Sequence, residues 1–166
     1  MRFEVVDTEA MEAFGRELGR QLRAGDLVVL TGALGAGKTT LTRGIGTGLG
    51  VRGPVQSPTF VLARTHPSLA GGAPLVHVDA YRLGDAALIE DLDLDFDHSV
   101  VVVEWGAGLV DDASDSRLEI VIERPTGASL ATDTLGDDDL DADEPRTITV
   151  RGIGPRWSGG PYAASA

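Results

Sequence analysis

The apolar run Leu27-Val28-Val29-Leu30-Thr31 leads directly into Gly32-Ala33-Leu34-Gly35-Ala36-Gly37-Lys38-Thr39, and helical spacing then continues from Thr39 to Leu49, with Gly50 as a stop. Strand, glycine-rich turn and helix in that order leave few architectures open. The run has no polar alternation and is bounded by Asp26 and Gly32, so it reads as a strand buried on both faces. The turn satisfies G-x-x-x-x-G-K-[ST], a pattern whose backbone amides converge on phosphate oxygens at a helix N-terminus. Lys38 is the only lysine; the other thirteen basic residues are arginines. A compact ammonium on a flexible stem fits between phosphate groups in a way that a planar guanidinium does not. The segment predicts a nucleotide-phosphate site.

The rest of the chain reads as an α/β layer fold around that unit. Thr8 and Glu9, followed by Met11, Phe14, Leu18 and Leu22, predict a capped amphipathic helix ending near Gly25. Further strands are expected at residues 60–65, 75–78, 100–103, 117–123 and 147–151, and one helix or two short ones over 83–96. Apolar strands alternating with helices predict a largely parallel sheet flanked by helices. The last two strands have no helix between them and read as a C-terminal antiparallel hairpin. Residues 125–145 are acidic and aperiodic, which predicts a mobile loop in that hairpin. From Gly152 onward Gly, Pro and Ser dominate, so residues 1–152 are expected to form the domain and 153–166 a flexible tail.

In phosphate-loop chemistry the Lys38 ammonium reaches the β- and γ-phosphates, the Thr39 hydroxyl meets Mg²⁺, and Gly35, Ala36, Gly37, Lys38, Thr39 and Thr40 supply backbone amides. Such sites also need acids at the tips of neighbouring strands, to hold the metal and orient the attacking water. Asp79 and Glu104 each close an apolar strand, and either can be the closer metal ligand. Ser57-Pro58-Thr59-Phe60 occupies the place where nucleotide switches sense the γ-phosphate, but it also suits an ordinary proline turn. His77 alternates with apolar neighbours and reads as a packed strand residue; His66 and His98 read as loop residues. Arg82 suits a phosphate, a partner or a surface ion pair, and Trp105 either a nucleotide or the edge of the sheet.

Composition narrows the function classes. There is no cysteine, which excludes disulfides and thiolate chemistry. No apolar run approaches the roughly 20 residues of a membrane span, and Met1 to Asp7 lack a signal-peptide pattern, so a cytoplasmic protein is expected. Net charge is −12, and the stretch from Asp133 to Glu144 holds seven acids and no base. Broad sequence-independent contact with nucleic acid needs basic stripes, so any service to RNA is expected through a partner. A guanine-specific switch is disfavoured because the chain contains no asparagine for an Asn-Lys-x-Asp element. A phosphate-loop small-molecule kinase is the stronger rival, although no arginine-rich lid follows Trp105.

Gly32 to Thr40, Ser57-Pro58-Thr59-Phe60, His77-Val78-Asp79-Ala80-Tyr81-Arg82-Leu83 and Val103-Glu104-Trp105 together resemble, in order and spacing, the TsaE (YjeE) family of bacterial ATPases. The likeness covers roughly residues 3 to 123. It implies a P-loop NTPase-like fold and a Mg²⁺-dependent ATP hydrolase, weak alone, that docks on the TsaB–TsaD pair. Its turnover keeps that complex cycling as it forms threonylcarbamoyladenosine on tRNA, which the ATPase meets only indirectly. By position, Lys38 and Thr39 would bind phosphate and Mg²⁺, Asp79 and Glu104 would serve metal and water, and residues 57–60, with Ser57 and Thr59, would form a switch. The family's nucleotide lies near the start of the first helix, which here implies Thr8. Ala33 stands where the family usually has an acid, and the acidic 125–145 loop is an elaboration that the family does not need.

Overall fold

Strands β2 (Leu27–Thr31), β4 (Leu75–Asp79), β5 (Val100–Glu104) and β6 (Arg117–Glu123) lie parallel, side by side in the order β6-β2-β5-β4. This computed structural model describes residues 1–84, 86–125 and 144–163; most of the acidic segment therefore lies outside the described residues. Antiparallel strands complete a seven-stranded mixed sheet, with β3 (Ala63–His66) beside β4, β7 (Arg146–Ile153) beside β6, and β1 (Arg2–Val5) beyond β7. Strands β4 and β5 are buried at every position, as expected of strands covered on both faces. Along β6 buried and solvent-facing residues alternate, because only one of its faces is covered.

Helices α1 (Thr8–Gly19) and α2 (Lys38–Leu49) cover one face, where Met11, Leu18, Leu41 and Ile45 join Leu30, Val102 and Ile120 in the larger apolar cluster. The opposite face is covered by the short α3 (Ala86–Glu90) and its flanking loops, with Leu83, Ile89 and Val110 against Leu27, Val29 and Val103.

Backbone meets backbone where α1 crosses α2. A Cβ on Gly15 would overlap the Leu41 carbonyl oxygen, and one on Gly44 would overlap that of Glu12; Gly19 and Gly48 repeat the arrangement one turn on. Glycine inside a helix costs about 1 kcal/mol relative to alanine, and the close approach of the two helices is the compensation. Asp7 caps α1 by accepting the Ala10 amide at 2.7 Å. The cap therefore lies one residue ahead of Thr8, and the helix ends at Gly19 rather than near Gly25.

Several other expectations are corrected. β6 is a parallel member of the sheet's core, beside β2, as well as one arm of the C-terminal hairpin. Strand β1 was not anticipated. The strand expected from Phe60 begins only at Ala63, because the Pro58 carbonyl accepts the amides of Val61 and Leu62 and turns the chain. Helix within 83–96 shrinks to Ala86–Glu90, and Leu92, Leu94 and Phe96 pack as loop residues. Here alternating aspartates favour turns over helix. His66 belongs to β3 and is buried.

The expected tail is also anchored. Pro155–Trp157 form a 3₁₀ turn, and Trp157 and Tyr162 are buried in the larger cluster. Arg156 pairs with the buried Asp26 through Nε–Oδ1 at 3.0 Å and Nη2–Oδ2 at 3.1 Å, and its guanidinium lies 4.2 Å from the centre of the Trp157 ring. Aromatic burial outweighs a composition rich in Gly, Pro and Ser.

Gly15→Ala is expected to lower unfolding free energy by about 1–3 kcal/mol through overpacking, and Trp157→Ala by about 3–5 kcal/mol. Urea unfolding checks both; an unchanged midpoint for Trp157→Ala would mean that the C-terminal segment is not part of the core.

Candidate functional site

The turn between β2 and α2 is shaped by glycines where side chains would strain the backbone: Gly35 at φ 71° and Gly37 at φ 104°. Gly37 precedes the helix without any side-chain cap, so the first amides of α2 face the loop. Lys38 is buried and folds back across this loop. Its Nζ donates to the carbonyls of Gly32 at 2.8 Å and Ala33 at 3.0 Å, and lies 3.9 Å from the centre of the Trp105 ring. Ala33 thus contributes a carbonyl to the lysine. Burial pushes the Lys38 ammonium below the ordinary lysine pKa, and the nearby Glu104 and then Asp79 carboxylates counter that shift.

Register brings the two acids together, since Asp79 and Glu104 are directly opposed at the ends of β4 and β5 and both are buried. Glu104 Oε1 accepts from the Thr39 hydroxyl at 3.0 Å and lies 2.7 Å from His77 Nε2. Asp79 Oδ1 accepts the Tyr81 amide at 3.0 Å, which holds its carboxylate at the strand end. The chain turns sharply after each acid. Trp105 sits at φ 62° and donates its amide to Leu30 O, which places its ring over Lys38 and 5.2 Å from that of Tyr81.

The structure therefore gathers Lys38, Thr39, Asp79 and Glu104 at one end of the parallel strands, the usual position of ligand crevices in α/β sheets. Thr8 lies beside the same loop but lines a cavity of its own, with Asp7, Met11, Ala36, Gly37, Thr40, Glu144 and Arg146 rather than with those four residues. Ser57 and Thr59 are not drawn in by their side chains. Their hydroxyls bond to each other at 2.6 Å, while the turn that follows is tied to Asp79, whose amide donates to Leu62 O. The Arg82 guanidinium lies 5.4 Å from the centre of the exposed Phe60 ring.

Sequence reasoning overlooked the contact of His77 with Glu104, although His77 stands two residues before Asp79 on a buried strand and so shares its face. It also overlooked Glu144 and Arg146, which reach the cavity beside Thr8 from the far end of the chain. Among the described residues there is no cluster of three His, Cys, Asp or Glu suited to an all-protein metal cage. No helix among them is long and apolar enough to cross a membrane.

A glycine-rich loop feeding α2 from a central parallel strand, with acids on the adjacent strand ends, defines an α/β fold of the P-loop NTPase type. Comparison with known proteins narrows the class. The model of the family described as "Threonylcarbamoyl adenosine biosynthesis protein TsaE" matches residues 5–130, and this chain belongs to that family. The tRNA threonylcarbamoyladenosine biosynthesis protein TsaE of Streptomyces coelicolor is 58% identical over 89% of this chain and 94% of that protein. Its namesake in Bacillus subtilis is 34% identical over 95% of this chain and 89% of that protein. The crystal structure of Bacillus subtilis YdiB superposes with a TM-score of 0.64 at 29% identity, covering 94% of this chain and 86% of that one.

His66 lies apart from the site. Burial lowers its pKa, partly offset by its bond to the Arg52 carbonyl, with His77 and Arg64 adding to the depression. Below the ordinary histidine value of about 6.5 the unfolded chain takes up this proton more readily than the folded one, so acidification destabilises the fold. Thermal unfolding followed from pH 7.5 to 5 is expected to show a steeper acid loss in the wild type than in His66→Gln; parallel curves would assign that loss elsewhere.

Proposed function

We propose that this chain is a Mg²⁺-dependent ATPase, slow alone and stimulated by the TsaB–TsaD pair, that supports threonylcarbamoyladenosine formation on tRNA in the cytoplasm. The names of its relatives support the pathway. The chemistry rests on one observation above all: Lys38 holds its ammonium on the loop carbonyls, while the adjacent Thr39, at the head of α2, donates its hydroxyl to Glu104 on β5.

Each residue has a task set by its surroundings. The uncapped amides of α2 and the Lys38 ammonium bind and orient the β- and γ-phosphates. Lys38 exchanges its two carbonyl partners for phosphate oxygens without crossing the site. The donors Thr39, Asp79 and Glu104 are all hard oxygens, the set that Mg²⁺ accepts, and two carboxylates with one hydroxyl leave the remaining positions to phosphate and water. When bound there, Mg²⁺ neutralises charge developing on the phosphates.

Glu104 orients the attacking water, and Asp79 is held beside it by the Tyr81 amide. The recess beside Thr8, lined also by Gly37 and Thr40, marks the side of the loop on which the nucleoside end of ATP would lie. Ser57 and Thr59 act as the switch, and the turn that follows them accepts the Asp79 amide at the Leu62 carbonyl. Catalysis here is positioning and electrostatics rather than covalent chemistry.

The test is ATP hydrolysis by the chain alone and with its own TsaB–TsaD pair. Lys38→Ala is expected to lower kcat/KM by about 10²–10³-fold. Glu104→Gln is expected to spare ATP binding while slowing turnover by about 10²–10⁴-fold. Full activity in Lys38→Ala would remove the reading, and turnover indifferent to the pair but dependent on a phosphoryl acceptor would replace it with a kinase.

A further inference from the structure

On the α2 side of the sheet, β4 presents Leu75, His77 and Asp79 in alternation, and β5 presents Val100, Val102 and Glu104. His77 faces Val102 across the ladder and is the diagonal neighbour of Glu104, within reach of a long side chain. It is fully buried, with the aliphatic Leu75 before it on the same face of the strand and Val102 directly opposite. A leucine would pack there without leaving a polar atom stranded. The imidazole leaves one: Nδ1 is buried without a partner. A proton on Nδ1 would have no acceptor, so the ring proton belongs on Nε2 and is donated to Glu104 Oε1 at 2.7 Å.

Oε1 also accepts the Thr39 hydroxyl proton. Two donors from different elements, one on β4 and one on α2, converge on a single carboxylate oxygen. They fix the plane of the carboxylate and leave Oε2 bonded to neither. Because Thr39 spends its proton on Glu104, its lone pairs are directed elsewhere, as a hydroxyl ligand requires.

We propose that His77 is a positioning residue that locks the Glu104 carboxylate and, through it, the Thr39 hydroxyl, so that both present oxygen to the cation accompanying a nucleoside triphosphate. The inference rests on the ATPase reading above and concerns a residue that touches neither nucleotide nor metal. Partners that orient ligating carboxylates are commonly worth 10–100-fold in metal affinity or activity.

Trp105, with its ring over Lys38, is the tryptophan beside the site and serves as its fluorescence probe. The experiment titrates Mg²⁺ into the full chain with ATP and follows that signal, alongside ATP binding in EDTA and thermal unfolding of each variant. His77→Leu is expected to raise the Mg²⁺ midpoint about 10–100-fold while metal-free ATP binding changes by less than about twofold. His77→Gln, which restores an N–H donor, recovers most of the loss; His77→Asn, too short to reach Glu104, does not. In a Glu104→Gln background His77→Leu adds no further shift.

An unchanged midpoint in His77→Leu overturns the proposal, as does equal behaviour of the Gln and Asn variants or additivity with Glu104→Gln. The Gln and Asn pair decides the matter even if the leucine variant fails to fold. A wild type that responds to neither ATP nor Mg²⁺ overturns the ATPase reading and this inference together, whereas a responsive wild type with an indifferent His77→Leu overturns the inference alone.

Discussion

Two helices touching backbone to backbone set the geometry on which everything else is built. Gly15 and Gly19 on α1 interleave with Gly44 and Gly48 on α2, and no side chain fits between them. Because α2 begins at the phosphate loop, this contact carries the start of α1 to that loop, so that Thr8 shares a cavity with Gly37 and Thr40. A side chain at the crossing would push the helices apart and displace both walls of that cavity. The cost of helical glycine is thus borne where it controls the width of the site.

The second constraint is the register of β4 and β5. Opposing Asp79 to Glu104 concentrates two buried carboxylates at the sheet end where Lys38 is also buried. Charges removed from water in this way demand partners. Thr39, His77 and the Tyr81 amide serve the acids, while two loop carbonyls serve the lysine. The site is polar inside an apolar sheet because the two carboxylates and the ammonium there each have a defined neighbour.

Much of this could be read from the sequence, for local reasons. A both-face-buried strand, a glycine turn and a helix are written in consecutive residues, and so are the acids closing β4 and β5. What escaped depended on distant residues. Strand β1 is four residues long and has no identity until β7 pairs with it. The end of the chain looked unstructured because Gly, Pro and Ser obscured Trp157 and Tyr162, whose pocket is built by other strands. His77 looked like packing because its alternation is that of a packed residue; only the register of β4 against β5 reveals Glu104 beside it. Thr8 could be placed only through family likeness, since nothing in its neighbours signals a cavity.

The position of β2 has a consequence for how the protein comes into being. It is the second strand to leave the ribosome, yet its two ladder partners, β5 and β6, are synthesised long afterwards. While the phosphate loop is already translated, both edges of the strand that supports it are still bare and Glu104 does not yet exist to receive Thr39. A nascent chain carrying the whole glycine motif therefore has no rigid cradle. The neighbours that fix Thr39 and Lys38 are complete only late, with the closing of the sheet.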